Sequence, residues 1–162
     1  MSVENLSAVF IISNLLVAPF YVLMVFWPAA AITQRVMRSL WSVAAPALLT
    51  LGFGLTFLFS DAALASRFGS LLVSAAGQSG FGIYLQIIQE LPPAALVMWL
   101  HAVAADVVMA RWAYLESREL KLRTWPVSVA ILLMCTNGPL GFVVYWGIRR
   151  FSISRRETNP AV

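Results

Sequence analysis

The sequence predicts an all-α fold, an integral membrane bundle of four transmembrane helices whose first and last spans are interrupted by Pro and Gly. Three observations carry this. Of the 162 residues, 60% are hydrophobic and 11% are charged, where an ordinary soluble domain has roughly 25% charged. The charges are clustered, leaving none between Asn5 and Gln34, between Ser39 and Ser60, or between Thr124 and Ile148. Each gap reaches the ~20 residues needed to cross the hydrocarbon core of a bilayer. A soluble chain of this size has no interior that could hide all three. No repeat or linker divides the chain, so residues 1–162 form a single integral membrane domain.

The first span covers about 6–28 and contains Asn14 and Pro19. The proline removes one backbone donor and frees the carbonyl of Leu15. A polar link with Arg35 and Arg38 leads to the second span, about 40–60, with Pro46 near its start. Gly52 and Gly54 inside that span suit close helix approach. Residues 61–91 read as a loop or interfacial element with Phe81 and Tyr84 facing lipid, because Arg67 interrupts them. Gln78, Ser79, Gly80 and Gly82 would also lie at the centre of any fifth span there. The third span, about 92–112, opens on Pro92 and Pro93, a helix-start signal. Its helix continues into a polar segment where Glu119 and Arg123 stand i, i+4. The last span, about 126–148, is broken at Asn137, Gly138 and Pro139, and a short polar tail follows.

The formal net charge of +4 comes from basic residues flanking the apolar runs, where lipid headgroup phosphates lie. The expected partner is therefore the lipid bilayer, with no nucleic acid, which calls for a basic face on a soluble domain. Four spans would place Arg35, Arg38, Arg111, Arg118, Lys121 and Arg123 on one side, against Arg67 and the tail arginines on the other. That is nearly balanced; the first helix favours Arg35 and Arg38 in the cytoplasm. Cys135, the single cysteine, reads as a small packing residue. Met1–Ser7 lacks a basic n-region, so the first apolar run is expected to be retained.

Ionisable groups within a span cost roughly 2.5–3.5 kcal/mol each at the helix centre. The third span carries His101, Asp106 and Arg111, and the other spans carry none. These three are the candidate catalytic residues. At about 100° per residue, His101 and Asp106 lie roughly 140° apart, as do Asp106 and Arg111, with about 7 Å of rise between neighbours. Asp106 shares its face with Trp99, Ala102, Ala110 and Ala113, and His101 shares its face with Ala105, Val108 and Trp112. Asp106 has two readings. One is a structural clasp with Arg111, Asn14, Thr136 or Asn137; the other is a catalytic or ligand-binding carboxylate. His101 has three: a hydrogen-bonded core residue, an acid, base or substrate contact, or an axial ligand to haem or chlorophyll. Asn14, Pro19 and Asn137, at the helix breaks, are candidate substrate-binding residues, with a locally satisfied kink as the alternative. Trp99 and Trp112 are candidate pocket walls, whereas Trp27, Trp41, Trp125 and Trp146 fit an interfacial belt. One His and one Cys far apart give no metal cluster, and no cofactor-binding motif is present. The glycines at Gly77, Gly80 and Gly82 lack the strand–helix context of a phosphate loop.

Several of these residues also carry a family resemblance. Asn14 to Met24 with Pro19 and Phe20, followed by Pro28, Thr33 and Met37, resembles the first helix of the abscisic-acid-deficient-four family. Trp99, His101, Asp106, Arg111 and Trp112, then Gly138, Pro139 and Gly141, resemble the remainder of that pattern in order. The resemblance implies a four-helix membrane protein of carotenoid metabolism, acting where violaxanthin becomes neoxanthin. The absence of a plastid transit segment implies a bacterial type, in an inner or photosynthetic membrane. The implied reaction is an isomerisation without cofactor, with a carotenoid as the bound molecule: Asp106 acts as base, and a protonated His101 or Arg111 polarises an epoxide oxygen. The alternative is a non-catalytic carotenoid- or pigment-binding unit, a homo-oligomer or a subunit of a larger photosynthetic or respiratory membrane complex.

Overall fold

In the computed structural model the described residues are 3–60, 62–74, 85 and 87–158, and among them the secondary structure is entirely helical. Helix α1, Val3–Phe26, carries Pro19 inside it. Its buried positions Ser13, Val17, Tyr21 and Met24 recur at helical spacing, while Ile11, Ile12, Leu15, Val22 and Phe26 are exposed. A helix that is apolar on its outer face is built for lipid. The short, amphipathic α2, Ala31–Arg38, buries Thr33 and Met37 and exposes Arg35 and Arg38. Helix α3, Trp41–Ser60, follows after a break at Ser39 and Leu40. The bend between Ala31–Arg38 and Trp41–Phe57 is 47°.

Helix α4, Ala62–Ser74, packs back on α3 through an edge contact between Phe57 and Phe68, 6.2 Å between centroids. The expected loop or interfacial element at 61–91 thus contains a helix over its first part. Gln78, Ser79, Gly80, Phe81, Gly82 and Tyr84 lie outside the described residues. Helix α5, Pro92–Glu119, starts on its prolines as expected and is the central element of the bundle. It ends where Lys121 adopts a positive φ of 50° and the Leu122 amide donates to the Ser117 carbonyl (2.9 Å). That left-handed residue turns the chain.

Two helices follow, α6 (Thr124–Thr136) and α7 (Gly138–Thr158), separated by Asn137. They do not form one rod. A methyl group added at Gly141 would lie 2.6 Å from the Ala130 carbonyl oxygen and would overlap the Met134 amide nitrogen. Along a continuous helix, residues 130 and 141 would be about 16 Å apart. The chain therefore folds back at Asn137. Ring contacts at 5.6 Å join Trp112 to Phe142 and to Tyr145, and Arg149 meets Glu116. Increasing numbers in α7 thus meet increasing numbers in α5, so these two helices run the same way and α6 runs against them.

This differs from the single span expected at 126–148. Hydropathy reports how much apolar chain there is but not its direction, and α6, at about 20 Å, is shorter than the ~30 Å hydrocarbon core. By length and composition two helices, Glu4–Phe26 and Pro92–Glu119, can cross a membrane, and the count rises to three if the bent pair α2–α3 is one span. The principal core lies between α1, α5, α6 and α7, around Val17, Tyr21, Met24, Val107, Tyr114 and Tyr145.

Candidate functional site

The fold-back brings its tip against α5 at the level of Asp106. A methyl group at Gly138 would come within 2.6 Å of the Asp106 carboxyl carbon and 2.9 Å of the Met109 methyl. Only glycine allows this approach. Asn137 supports the tip by accepting the Leu140 amide on its Oδ1 (3.2 Å), which caps the first turn of α7. Tyr21, on the buried face of α1, packs in one buried cluster with Val107, next to Asp106 on α5, and Ala110, one turn further on. The site is therefore assembled from α1, α5 and both halves of the fold-back.

Asp106 is half-buried and forms no ion pair or hydrogen bond among the described residues. Each partner considered for a structural clasp is engaged elsewhere. The Asn14 Nδ2 donates to the Phe10 carbonyl (2.7 Å), and the Thr136 hydroxyl donates to the Leu133 carbonyl (3.1 Å). Asn137 caps its own helix. The Arg111 Nε donates to the Met37 carbonyl (2.7 Å) and to the Ser42 Oγ (3.0 Å), at the break between α2 and α3. Arg111 thus secures a bend that hydropathy alone did not reveal, and it points away from Asp106. Ser42 passes a hydrogen bond on to the Ser39 carbonyl (3.0 Å).

His101 stands on the exposed flank of α5. Trp99 stacks at 5.1 Å on Phe10 of α1, whereas Trp112 packs against Phe142 and Tyr145 of α7. The two tryptophans are about 20 Å apart along the helix and contact different neighbours. Pro19 is exposed on α1 and Asn14 half-buried. Of the residues singled out from the sequence, the structure sets Asp106 against Gly138, the residue that follows Asn137 at the fold-back tip. It does not bring Arg111, Trp112 or Trp99 to that point. Among the described residues no group of three His, Cys, Asp or Glu is placed to hold a metal ion.

Sequence reasoning missed two features. One is Tyr21, whose Oη is buried without a hydrogen-bond partner; within a long apolar run a tyrosine gives no signal of its own. The other is a polar cluster near the end of α5. There Glu116 accepts from the Tyr145 hydroxyl (2.8 Å) and from the Arg149 Nε (3.0 Å), and the Tyr114 hydroxyl donates to the Pro28 carbonyl (2.7 Å). The i, i+4 spacing of Glu119 and Arg123 drew attention to this end of the helix, but to the wrong acid.

A family model, that of the ABA DEFICIENT 4-like proteins, matches residues 8–145. No curated protein and no solved structure matches the chain. The matched region takes in α1 through most of the fold-back, including Tyr21, Asp106, Gly138 and Gly141. The chain belongs to the ABA DEFICIENT 4-like family.

Proposed function

We propose, from membership of this family, that the chain is a membrane-embedded carotenoid-processing protein, an isomerase that opens the epoxide of a xanthophyll and removes a proton from a neighbouring carbon. The observation that carries this reading is Asp106. A carboxylate without a counter-ion, held against the tip of a helical fold-back inside an apolar bundle, is an expensive arrangement for packing alone. It suits a base acting on a substrate that enters from lipid. A broken helix at mid-membrane is tolerated where protein or a cavity satisfies the freed backbone groups, and Asn137 supplies part of that here.

The same reading makes the membrane topology three crossings, by α1, the α2–α3 pair and α5, with α6–α7 dipping in and returning to the side it came from. This replaces the fourth crossing expected from composition. The membrane is proposed to be a bacterial inner or photosynthetic membrane. Of the two groups expected to polarise the oxygen, Arg111 is committed to Met37 and Ser42, and His101 lies on the exposed flank. The base is thus better supported than either of those acids.

The test is conversion of violaxanthin by the purified protein in lipid vesicles, followed by chromatography. Asp106→Asn is expected to abolish conversion, a loss on the order of 10²–10⁴-fold, with an unchanged thermal unfolding profile. Product formation at the wild-type rate by that variant would refute the assignment. A pigment-binding subunit gives a different result: no conversion, and a stoichiometric visible chromophore retained unaltered through detergent exchange.

A further inference from the structure

We propose that Tyr21 is the proton donor of this reaction, and that the oxygen-bearing end of the substrate sits between its hydroxyl and the Asp106 carboxylate at the fold-back tip. This rests on the isomerase reading above and adds the acid that reading lacks.

The buried hydroxyls of the chain provide the contrast. Ser13 donates to the Phe10 carbonyl, Thr33 to the Trp27 carbonyl, Ser42 to the Ser39 carbonyl and Ser117 to the Tyr114 carbonyl. Tyr21 is 6% exposed, and its Oη is the one buried side-chain polar atom among the described residues with no partner. In hydrocarbon no bulk water can compensate, and such a group calls for an explanation. Beside it stands Asp106, an acceptor that no donor reaches. Tyr21 packs in one buried cluster with Val107 and Ala110, on the stretch of α5 that carries Asp106, yet no hydrogen bond joins the two. That is the arrangement of a donor and an acceptor that meet through a third atom. The tip glycine, Gly138, packs against the same carboxylate and fixes it from the other side.

The chemistry balances without a co-reactant. The tyrosine proton passes to the epoxide oxygen as one carbon–oxygen bond breaks. The electron pair of that bond stays on oxygen, which becomes a hydroxyl. Asp106 takes the proton from the adjacent vinylic carbon, and the released C–H pair forms the new carbon–carbon double bond of an allene. Tyr21 is then a phenolate and Asp106 an acid. Transfer of the proton from Asp106 to Tyr21 restores both, which requires the two to be neighbours. Tyr21 packs against the stretch of α5 that carries Asp106, whereas Arg111 is held at Met37 and Ser42.

The experiment compares Tyr21→Phe, Asp106→Asn and the double variant with wild type, using violaxanthin in vesicles. Tyr21→Phe is expected to lower kcat by about 100-fold with little change in KM, and the double variant to be no slower than the slower single variant, as for groups that act as a unit. Phe removes only an unpartnered oxygen, so the variant should melt at or above the wild-type temperature. Should it nevertheless fail to fold, a fluorotyrosine placed at position 21 keeps the hydroxyl and changes its acidity. The rate is expected to shift with it, and an unmoved rate overturns the proposal. A fully active Tyr21→Phe beside an inactive Asp106→Asn overturns the role of Tyr21 and leaves the isomerase reading standing. A fully active Asp106→Asn, or a wild-type protein that forms no product, overturns both.

Discussion

Two polar regions of this molecule, on the same helix, are treated in opposite ways. Near the end of α5, Glu116, Tyr145, Arg149, Tyr114 and the Arg111–Ser42 pair form hydrogen bonds of 2.7–3.0 Å, each donor matched to an acceptor. About 15 Å back along the axis, Asp106 of α5 and Tyr21, packed against Val107 and Ala110 of the same helix, have nothing bonded to either. The first region consists of fasteners. Each closes a place where the chain changes direction: α1 into α2, α2 into α3, and the return of α7. The second has no such task, since the fold-back tip is held by glycine contacts and by the Asn137 cap. Polar groups that hold this fold together are used up in doing so, whereas the unpaired Tyr21 hydroxyl and Asp106 carboxylate are the ones the proposed reaction calls on.

The contrast can be broken or sharpened by substitution. The largest effect is expected at Gly141, where any side chain meets the backbone of Ala130 and Met134, atoms that cannot swing aside. Gly141→Leu should prevent the fold-back from closing, abolishing both activity and a cooperative melt in detergent. A native-like melt would mean that the two half-helices are not packed as described. Next is Arg111→Ala, which leaves the Met37 carbonyl and Ser42 without their donor. It should lower unfolding stability by about 1.5–3 kcal/mol, while turnover per folded molecule stays near wild type. Lost turnover at full stability would instead return Arg111 to the chemistry. The smallest is Tyr114→Phe, which deletes one hydrogen bond to Pro28 and should cost about 1 kcal/mol, read as a modest drop in melting temperature with no change in rate.

How far the sequence revealed this depends on the kind of signal. Long uncharged runs announce helices whatever surrounds them, so α1 and α3 were legible, and the start of α5 was legible at its prolines. A fold-back was not, because two half-helices have the same composition as one crossing. Asn137, Gly138 and Pro139 marked the break without its angle. Gly52 and Gly54 were read as points of close approach, yet Gly52 faces open space and Gly54 only an ordinary contact with Val97 at 3.9 Å. The close approaches are at Gly138 and Gly141, which depend on a neighbour that sequence spacing does not supply. Asp106 stood out because a carboxylate in hydrocarbon is costly wherever it faces. Arg111 stood out for the same reason, but its partners lie 69 and 74 positions away. Tyr21 did not stand out at all. An aromatic hydroxyl is cheap until it is buried without a partner, and only coordinates reveal that.

The fold-back also decides where the cations of the chain gather. Because α7 returns beside α5, the guanidinium of Arg149 comes to the same end of the molecule as Arg118, and the tie between Tyr114 and Pro28 brings Arg35 and Arg38 to that end too. The tail cations that a straight last helix would have sent to the other leaflet join this belt, leaving Glu4 and Arg67 toward the far end. Excess Lys and Arg stay on the cytoplasmic side, and a potential negative inside adds about 2.3 kcal/mol per charge per 100 mV against moving them across. On the topology proposed above, reverse insertion would have to carry that belt through the bilayer, so the fold-back at Asn137 is expected to favour keeping it in the cytoplasm, which cysteine labelling from either side would test.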